Sequence, residues 1–208
     1  MSGRWQAAAI FTLVPAVCVA EPTGAFDWEP LAIRSSVFSG KVDMLDSERD
    51  EYATNLANYA ARRVVQAKAS PASMEDARRM LALALHLSPR NRRAVVVNFQ
   101  LGQGLLPDPG EGDFSPQVFA RLIITRSQIL EKQGGIENTM LARIFTQVAA
   151  ELDPRNEDAV YLSELQRLDH GSVDWSVLTR PKSAVSGPEE STGPAVTAES
   201  PSSDAAGN

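Results

Sequence analysis

The chain has 208 residues and a formal net charge of −6, which is length enough for one domain plus tails and the wrong sign for a general nucleic-acid binder. Its 13 glycines and 13 prolines are ordinary usage for a soluble protein. A single cysteine, Cys18, excludes an intrachain disulfide and a cluster of thiolate metal ligands.

At the N-terminus, Arg4 and the free amine form a short positive region. Residues 7–20 carry no charge, and Cys18 and Ala20 are small residues placed for cleavage before Glu21. This is the pattern of a secretory signal peptide over 1–20, so the expected location is periplasmic or extracellular, and the mature chain would hold no cysteine. The apolar run of 14 residues is shorter than the roughly 20 that a spanning helix needs. An uncleaved membrane anchor and a lipid-attached Cys18 are the alternatives. Val17 weighs against the second, because lipoprotein signals carry a small residue there. Residues 21–45 show no helical period. Phe26, Trp28, Leu31, Ile33 and Phe38 sit among Pro22, Gly24, Pro30 and Gly40, which predicts an irregular arm laid over a folded domain by its aromatics; a partner-binding segment is the other reading. The 31–38 stretch has the composition of a short strand, but a lone strand is not stable.

The rest of the chain reads as helices. Over 46–69, Ala53, Ala57, Ala60, Val64 and Ala67 form a small-residue stripe that lets a second helix approach closely, flanked by Tyr52, Leu56 and Tyr59. Ser70-Pro71 breaks this helix, and 73–76 (Ser-Met-Glu-Asp) resembles a capping box for the next. That helix places Ala77, Leu81, Ala84 and Leu85 on one face and stops at Ser88-Pro89. Asn91 is a candidate N-cap for a third helix over 91–103, with Ala94, Val97 and Leu101 on its buried face and Gly102 and Gly104 at its end. The 105–114 loop carries Asp108, Glu111 and Asp113, whose spacing does not fit a calcium loop. Ser115-Pro116 starts a fourth helix with Phe119, Leu122, Ile123, Ile129 and Leu130 as its buried face, ended by Gly134-Gly135. Helices over 137–152 and 156–168 follow. The former carries the stripe Leu141, Ile144, Phe145, Val148 and Leu152; the latter has Asn156 as cap and Glu157 and Asp158 in the favourable first turn. Six helices with short connections make three antiparallel pairs, and 170–178, with Trp175 and Val177, is expected to cap the last pair. Residues 183–208 contain no aromatic residue and no Leu, Ile or Met, so 179–208 reads as a disordered tail.

One stretch occurs twice. Ala77-Arg78, Ala84, Leu87, Pro89-Arg90-Asn91 and Ala94-Val95 are matched by Ala142-Arg143, Ala149, Leu152, Pro154-Arg155-Asn156 and Ala159-Val160, all at one offset of 65 residues. The pattern resembles the tetratricopeptide repeat, specifically its second helix and the following corner. The family's small, large, small, proline signature is met by Ala77, Leu81, Ala84 and Pro89, and by Ala142, Ala149 and Pro154 with Thr146 in the large position. Its first helix is matched poorly, with Phe99 and Glu164 at the small glycine position. The good match covers 77–95 and 142–160, a looser one about 46–168, and the offset is close to two units of about 34 residues. The resemblance implies an all-α fold of antiparallel helix pairs in a short right-handed solenoid, with a repeat domain over 46–178. It also implies an interaction scaffold that binds a partner protein or peptide in a groove between helix pairs. An ordinary helical bundle whose two corners agree by chance is the alternative.

No phosphate loop, dinucleotide fingerprint, zinc-protease motif or nucleophile elbow is present. Gly102-Gln103-Gly104 lacks a third glycine and a preceding strand. His86 and His170 read as helix-end residues facing terminal carbonyls, with no companions for a metal. No catalytic, cofactor or metal residue is therefore assigned, and a non-enzyme is expected. Charge is uneven: residues 46–104 balance at +3 and 105–178 at −6. Arg62, Arg63, Arg78, Arg79, Arg92 and Arg93 are the candidate partner-binding residues, since guanidinium forks suit a partner with acidic groups. A solvated face with local pairs such as Glu75 to Arg79 is the alternative. The expectation is an exported protein-interaction scaffold. A cell-envelope enzyme or its accessory subunit, and a structural component of an envelope assembly, stand beside it.

Overall fold

The computed structural model describes residues 26–33, 35–38, 42–110 and 114–180; the segment read as a signal peptide and all of the tail beyond Arg180 lie outside them. The fold is all-α: α1 (Asp46–Gln66), α2 (Pro71–Leu87), α3 (Arg92–Gly102), α4 (Pro116–Gln133), α5 (Ile136–Leu152), α6 (Glu157–His170) and a single turn, α7 (Ser176–Thr179). No strand forms among the described residues of 31–38.

Local chemistry sets the helix starts. Asn91 Oδ1 accepts from Ala94 N–H at 3.0 Å, and Asn156 Oδ1 accepts from Ala159 N–H at 3.1 Å. Ser115 caps α4, with Pro116 in the first turn, where its missing N–H costs nothing. The start of α2 differs from the capping box expected at 73–76. Ser70 is the cap and Pro71 the first helical residue, so one Ser-Pro pair closes α1 and opens α2, and Ser73 is buried one turn inside. Between the two helices, Lys68 N–H reaches Val65 O and Ala69 N–H reaches Val64 O, the bonding of a Schellman motif. Lys68 and Ala69 there hold φ of 50° and 52°, a conformation usually left to glycine.

α1 and α2 form one antiparallel hairpin, and α4 and α5 form another. The hairpins meet through Tyr52 of α1, whose ring lies 5.8 Å from both Phe119 of α4 and Phe145 of α5. The contact buries the phenol and pushes its pKa up to about 12, with Glu48 adding to the rise. Arg79 to Glu151 at 3.0 Å and Arg126 to Glu48 at 3.2 Å bridge the same junction. The pairing departs from three successive pairs: α3 folds back onto α1 and α2, while α4 takes α5 as its main neighbour. On α4, Phe119, Ile123 and Leu130 are buried as expected, but Leu122 and Ile129 are exposed together with Val118. α4 carries two apolar stripes, and only one of them meets α5.

The arm packs where its aromatics point. Trp28, Leu31 and Phe38 are buried. Asn98 of α3 accepts from Trp28 Nε1 and from Leu31 N–H and donates to Leu31 O. The arm runs so close to α3 that a Cβ on Gly102 would stand 2.7 Å from Pro30. His86 joins three segments. Its Nδ1 accepts from Val37 N–H at 3.2 Å, which leaves the proton on Nε2 to donate to Leu178 O at 3.0 Å. α7 therefore docks on α2, and Trp175 lies against Arg79, so only the start of this segment, 171–173, lies along the last helix pair.

Candidate functional site

Five of the six candidate arginines bind partners within the fold. Arg62 donates to Pro109 O and Phe114 O and stacks on the Phe114 ring. Arg93 donates to Asn58 Oδ1 and to the Asp108 carbonyl, so these two residues pin the 105–114 loop to α1 and α3. Arg63 pairs with Asp76. Arg78 donates to the Glu29 carbonyl and covers Trp28, fastening the arm. Arg79 binds Asp76 at 2.7 Å and Glu151 at 3.0 Å; burial opposes its charge, but these carboxylates outweigh burial and raise its pKa. Its helix partner is Asp76, not Glu75. Arg92 is exposed at the start of α3. Five of the six side chains are taken up by partners within the fold, Arg63 and Arg79 sharing Asp76 and Arg62 and Arg93 sharing the 105–114 loop.

The repeat positions are structural. Ala77, Leu81, Ala84, Ala142 and Ala149 are all buried, and Pro89 and Pro154 sit exposed at the two corners. The 65-residue offset carries α2 onto α5 and α3 onto α6. For the first helices the match is two residues longer, because 67–70 joins α1 to α2 and only 134–135 joins α4 to α5. Tyr52, Ala53 and Leu56 then correspond to Phe119, Ala120 and Ile123, all six buried. The period is thus one three-helix unit, present as α1–α3 and α4–α6.

The two units differ in how the third helix closes. In the first, Ala57 and Ala61 of α1 have no side chain beyond Cβ, and α3 comes down onto them. Asn91 Nδ2 donates to Asp50 and to Thr54 Oγ1 at 2.8 Å, and Arg93 Nε to Asn58 at 2.8 Å. In the second unit Ile124 and Gln128 take the places of Ala57 and Ala61, Arg121 and Thr125 those of Thr54 and Asn58, and Asp158 that of Arg93. Ile124 and Gln128 line the open space between α4 and α6, and none of the polar partners match. Among the described residues no hydrogen bond or ion pair joins α4 to α6. α6 is tied to α5, by Gln166 Nε2 to Arg143 O and by Arg143 to the terminal carbonyls of His170 and Gly171.

The result is a groove between α4 and α6 over α5. One end is a hollow of about 410 Å³ with Ser127, Ala142 and Thr146 in its floor and Leu162 and Leu165 on the α6 side. The hollow continues past Gln128 and Leu162 toward Ile124, Tyr161 and Asp158. Thr146, in the position of Leu81, contributes a hydroxyl where the first unit has a buried isobutyl group. Thr146 Oγ1 lies 3.1 Å from Ser127 Oγ and 3.0 Å from Ala142 O, and Ser127 donates to Ile124 O, so the floor's hydroxyls are satisfied from within. The one buried residue of α6 is Ala159; Tyr161 and Leu165 are exposed. Sequence reasoning missed this site, since its only sequence signal is Thr146 breaking the repeat signature. Among the described residues no group of His, Asp or Glu is arranged to hold a metal, and no helix is long and apolar enough to cross a membrane.

Compared with known protein families, curated proteins and solved structures, the chain matches none.

Proposed function

We propose that this protein is an exported, tetratricopeptide-like interaction scaffold that holds a segment of a partner protein in the groove between α4 and α6. The observation that carries the reading is the face of α6: Tyr161, Leu162 and Leu165 line an open groove and Ala159 alone is buried. A surface helix normally turns its apolar stripe into the fold, and an apolar surface left open marks a place where another molecule sits. The groove replaces the arginine cluster as the binding site, because every member of that cluster but the exposed Arg92 is taken up by internal partners. Export rests on the 1–20 pattern, and N-terminal sequencing of protein from its native host is expected to begin at Glu21.

A photo-crosslinking residue at Leu165, inside the groove, and one at Leu122, on the outer face of α4, test the reading in native extract. A discrete adduct from Leu165 and none from Leu122 is expected. Equal adducts from both positions, or none from Leu165 in folded protein, would discard the groove as the binding site.

A further inference from the structure

We propose that the groove receives an amphipathic α-helix that is acidic along one flank and basic along the other, and that the charged walls set the direction in which it lies. This deepens the scaffold reading and rests on it. The α4 wall carries Arg121 and Lys132, and the α6 wall carries Asp158 and Asp169. Each pair is spaced eleven residues apart, about 16 Å or three turns of helix. All four side chains are exposed, and among the described residues none has an ion-pair partner. Arg121 and Asp158 stand at one end of the groove, with Asp153 beside them; Lys132 and Asp169 stand at the other, where Glu131 partly offsets Lys132. Basic residues on the α4 side thus lie opposite acidic residues on the α6 side with no ion pair between them among the described residues, and a guest between them would meet both.

The guest is a helix for a hydrogen-bonding reason. Both walls and the floor are helices whose backbone groups are already bonded, so an extended peptide would find no ladder to join and would have to keep its amides turned to water. A helix satisfies its backbone internally and presents only side chains. With its apolar stripe on Ala142, Thr146 and Leu165, one flank faces α4 and the other α6. Turning the helix end to end exchanges the flanks, so a guest with one acidic and one basic flank fits in a single direction, and a uniformly charged helix meets repulsion from one wall in either.

Three synthetic peptides with one shared leucine stripe test this. The first carries Glu on one flank and Lys on the other; the second carries only Lys, the third only Glu. Titrated into the full chain at low salt, the polarised peptide is expected to bind about tenfold more tightly than either uniform one, and the gap is expected to shrink at high salt. A nitroxide at the N-terminus of the polarised peptide reports direction by broadening amide signals near one end of α6. Reversing both walls (R121E, K132E, D158K and D169K together) should keep its affinity and move the broadening to the other end, with circular dichroism showing that the helices remain. Equal binding of the three peptides, or unchanged direction in the reversed protein, overturns the charged-wall proposal and leaves the apolar groove standing. Failure of all three to bind folded protein overturns the scaffold reading as well. So does concentration-dependent dimerisation abolished by Leu165→Asp, which would put a second copy in the groove.

Discussion

The three-helix units α1–α3 and α4–α6 share a corner and differ in their closure. In both, the second helix ends just before a proline and an asparagine caps the third. In the first, α3 lies on α1 along alanines and a set of hydrogen bonds; in the second, α6 stands away from α4 across Ile124 and Gln128. The difference extends to the ends. His86 links α2 to the arm and α7, while its counterpart Glu151 is turned inward to Arg79. The hairpin corner of the first unit uses Lys68 and Ala69 at positive φ; the second uses Gly134 and Gly135. A helix corner is a local device that a few residues reproduce, whereas closure depends on the volume and polarity of residues on another helix. The second can change while the first is kept, and here the change opens a groove.

The largest test of this contrast is the matched pair Leu81 and Thr146. Leu81→Ala should cost about 2–5 kcal/mol, because a fully buried leucine leaves a cavity. Thr146→Ala should cost only about 1 kcal/mol, the worth of a hydroxyl at the floor of an open groove. Denaturant unfolding of both variants reads the difference, and equal losses would mean that the second unit is as tightly closed as the first.

The two capping asparagines should separate next. Asn91→Ala removes the cap of α3 and its bonds to Asp50 and Thr54, an expected loss of about 2–3 kcal/mol, whereas Asn156→Ala removes a cap alone, about 1 kcal/mol. Asp50 supplies a second readout. Its hydrogen bonds from Asn91 and Ser88 hold its carboxyl below the usual value, so Asn91→Ala should raise the Asp50 pKa as followed by NMR.

A smaller contrast lies in pH. Burial holds His86 below the ordinary histidine value, opposed by the Leu178 carbonyl. The unfolded chain therefore takes up the proton first. Stability should be fully present above about pH 6.5, the unperturbed value, and should fall as pH drops below it, levelling off once the folded state is also protonated. Protonation also removes the acceptor of Val37 N–H, so the exchange protection factor at Val37, relative to the intrinsic rate at each pH, should fall in the same window. His86→Gln should flatten the pH dependence, and persistence of the drop in that variant would assign it elsewhere.

The smallest effect is at the hairpin corners. Lys68→Gly should stabilise the first by about 0.5–1 kcal/mol by relieving positive φ, and Gly134→Ala should destabilise the second by at least that much, because Gly134 at φ 68° and ψ −174° lies in a region essentially reserved for glycine. Thermal melts of the two variants should move in opposite directions.

The sequence by itself determined the helices and their ends. Prolines, the cap residues Ser70, Asn91, Ser115 and Asn156, and the apolar periods act on the few residues beside them, so α3 to α6 lie within a few residues of where the pattern puts them, and the all-α fold follows. Even there, the cap of α2 shifted from Ser73 to Ser70, because a proline tolerated in a first turn reads in sequence like a stop. Only the tertiary structure decided which stripe of α4 is buried, that α3 returns to α1, that α7 docks on α2, and which carboxylates and carbonyls take the arginines. Those outcomes depend on whether side chains far apart in the chain fit against each other. Ala57 and Ile124 are both apolar residues on amphipathic helices, and nothing local distinguishes their roles. One admits a neighbouring helix and the other lines the open groove.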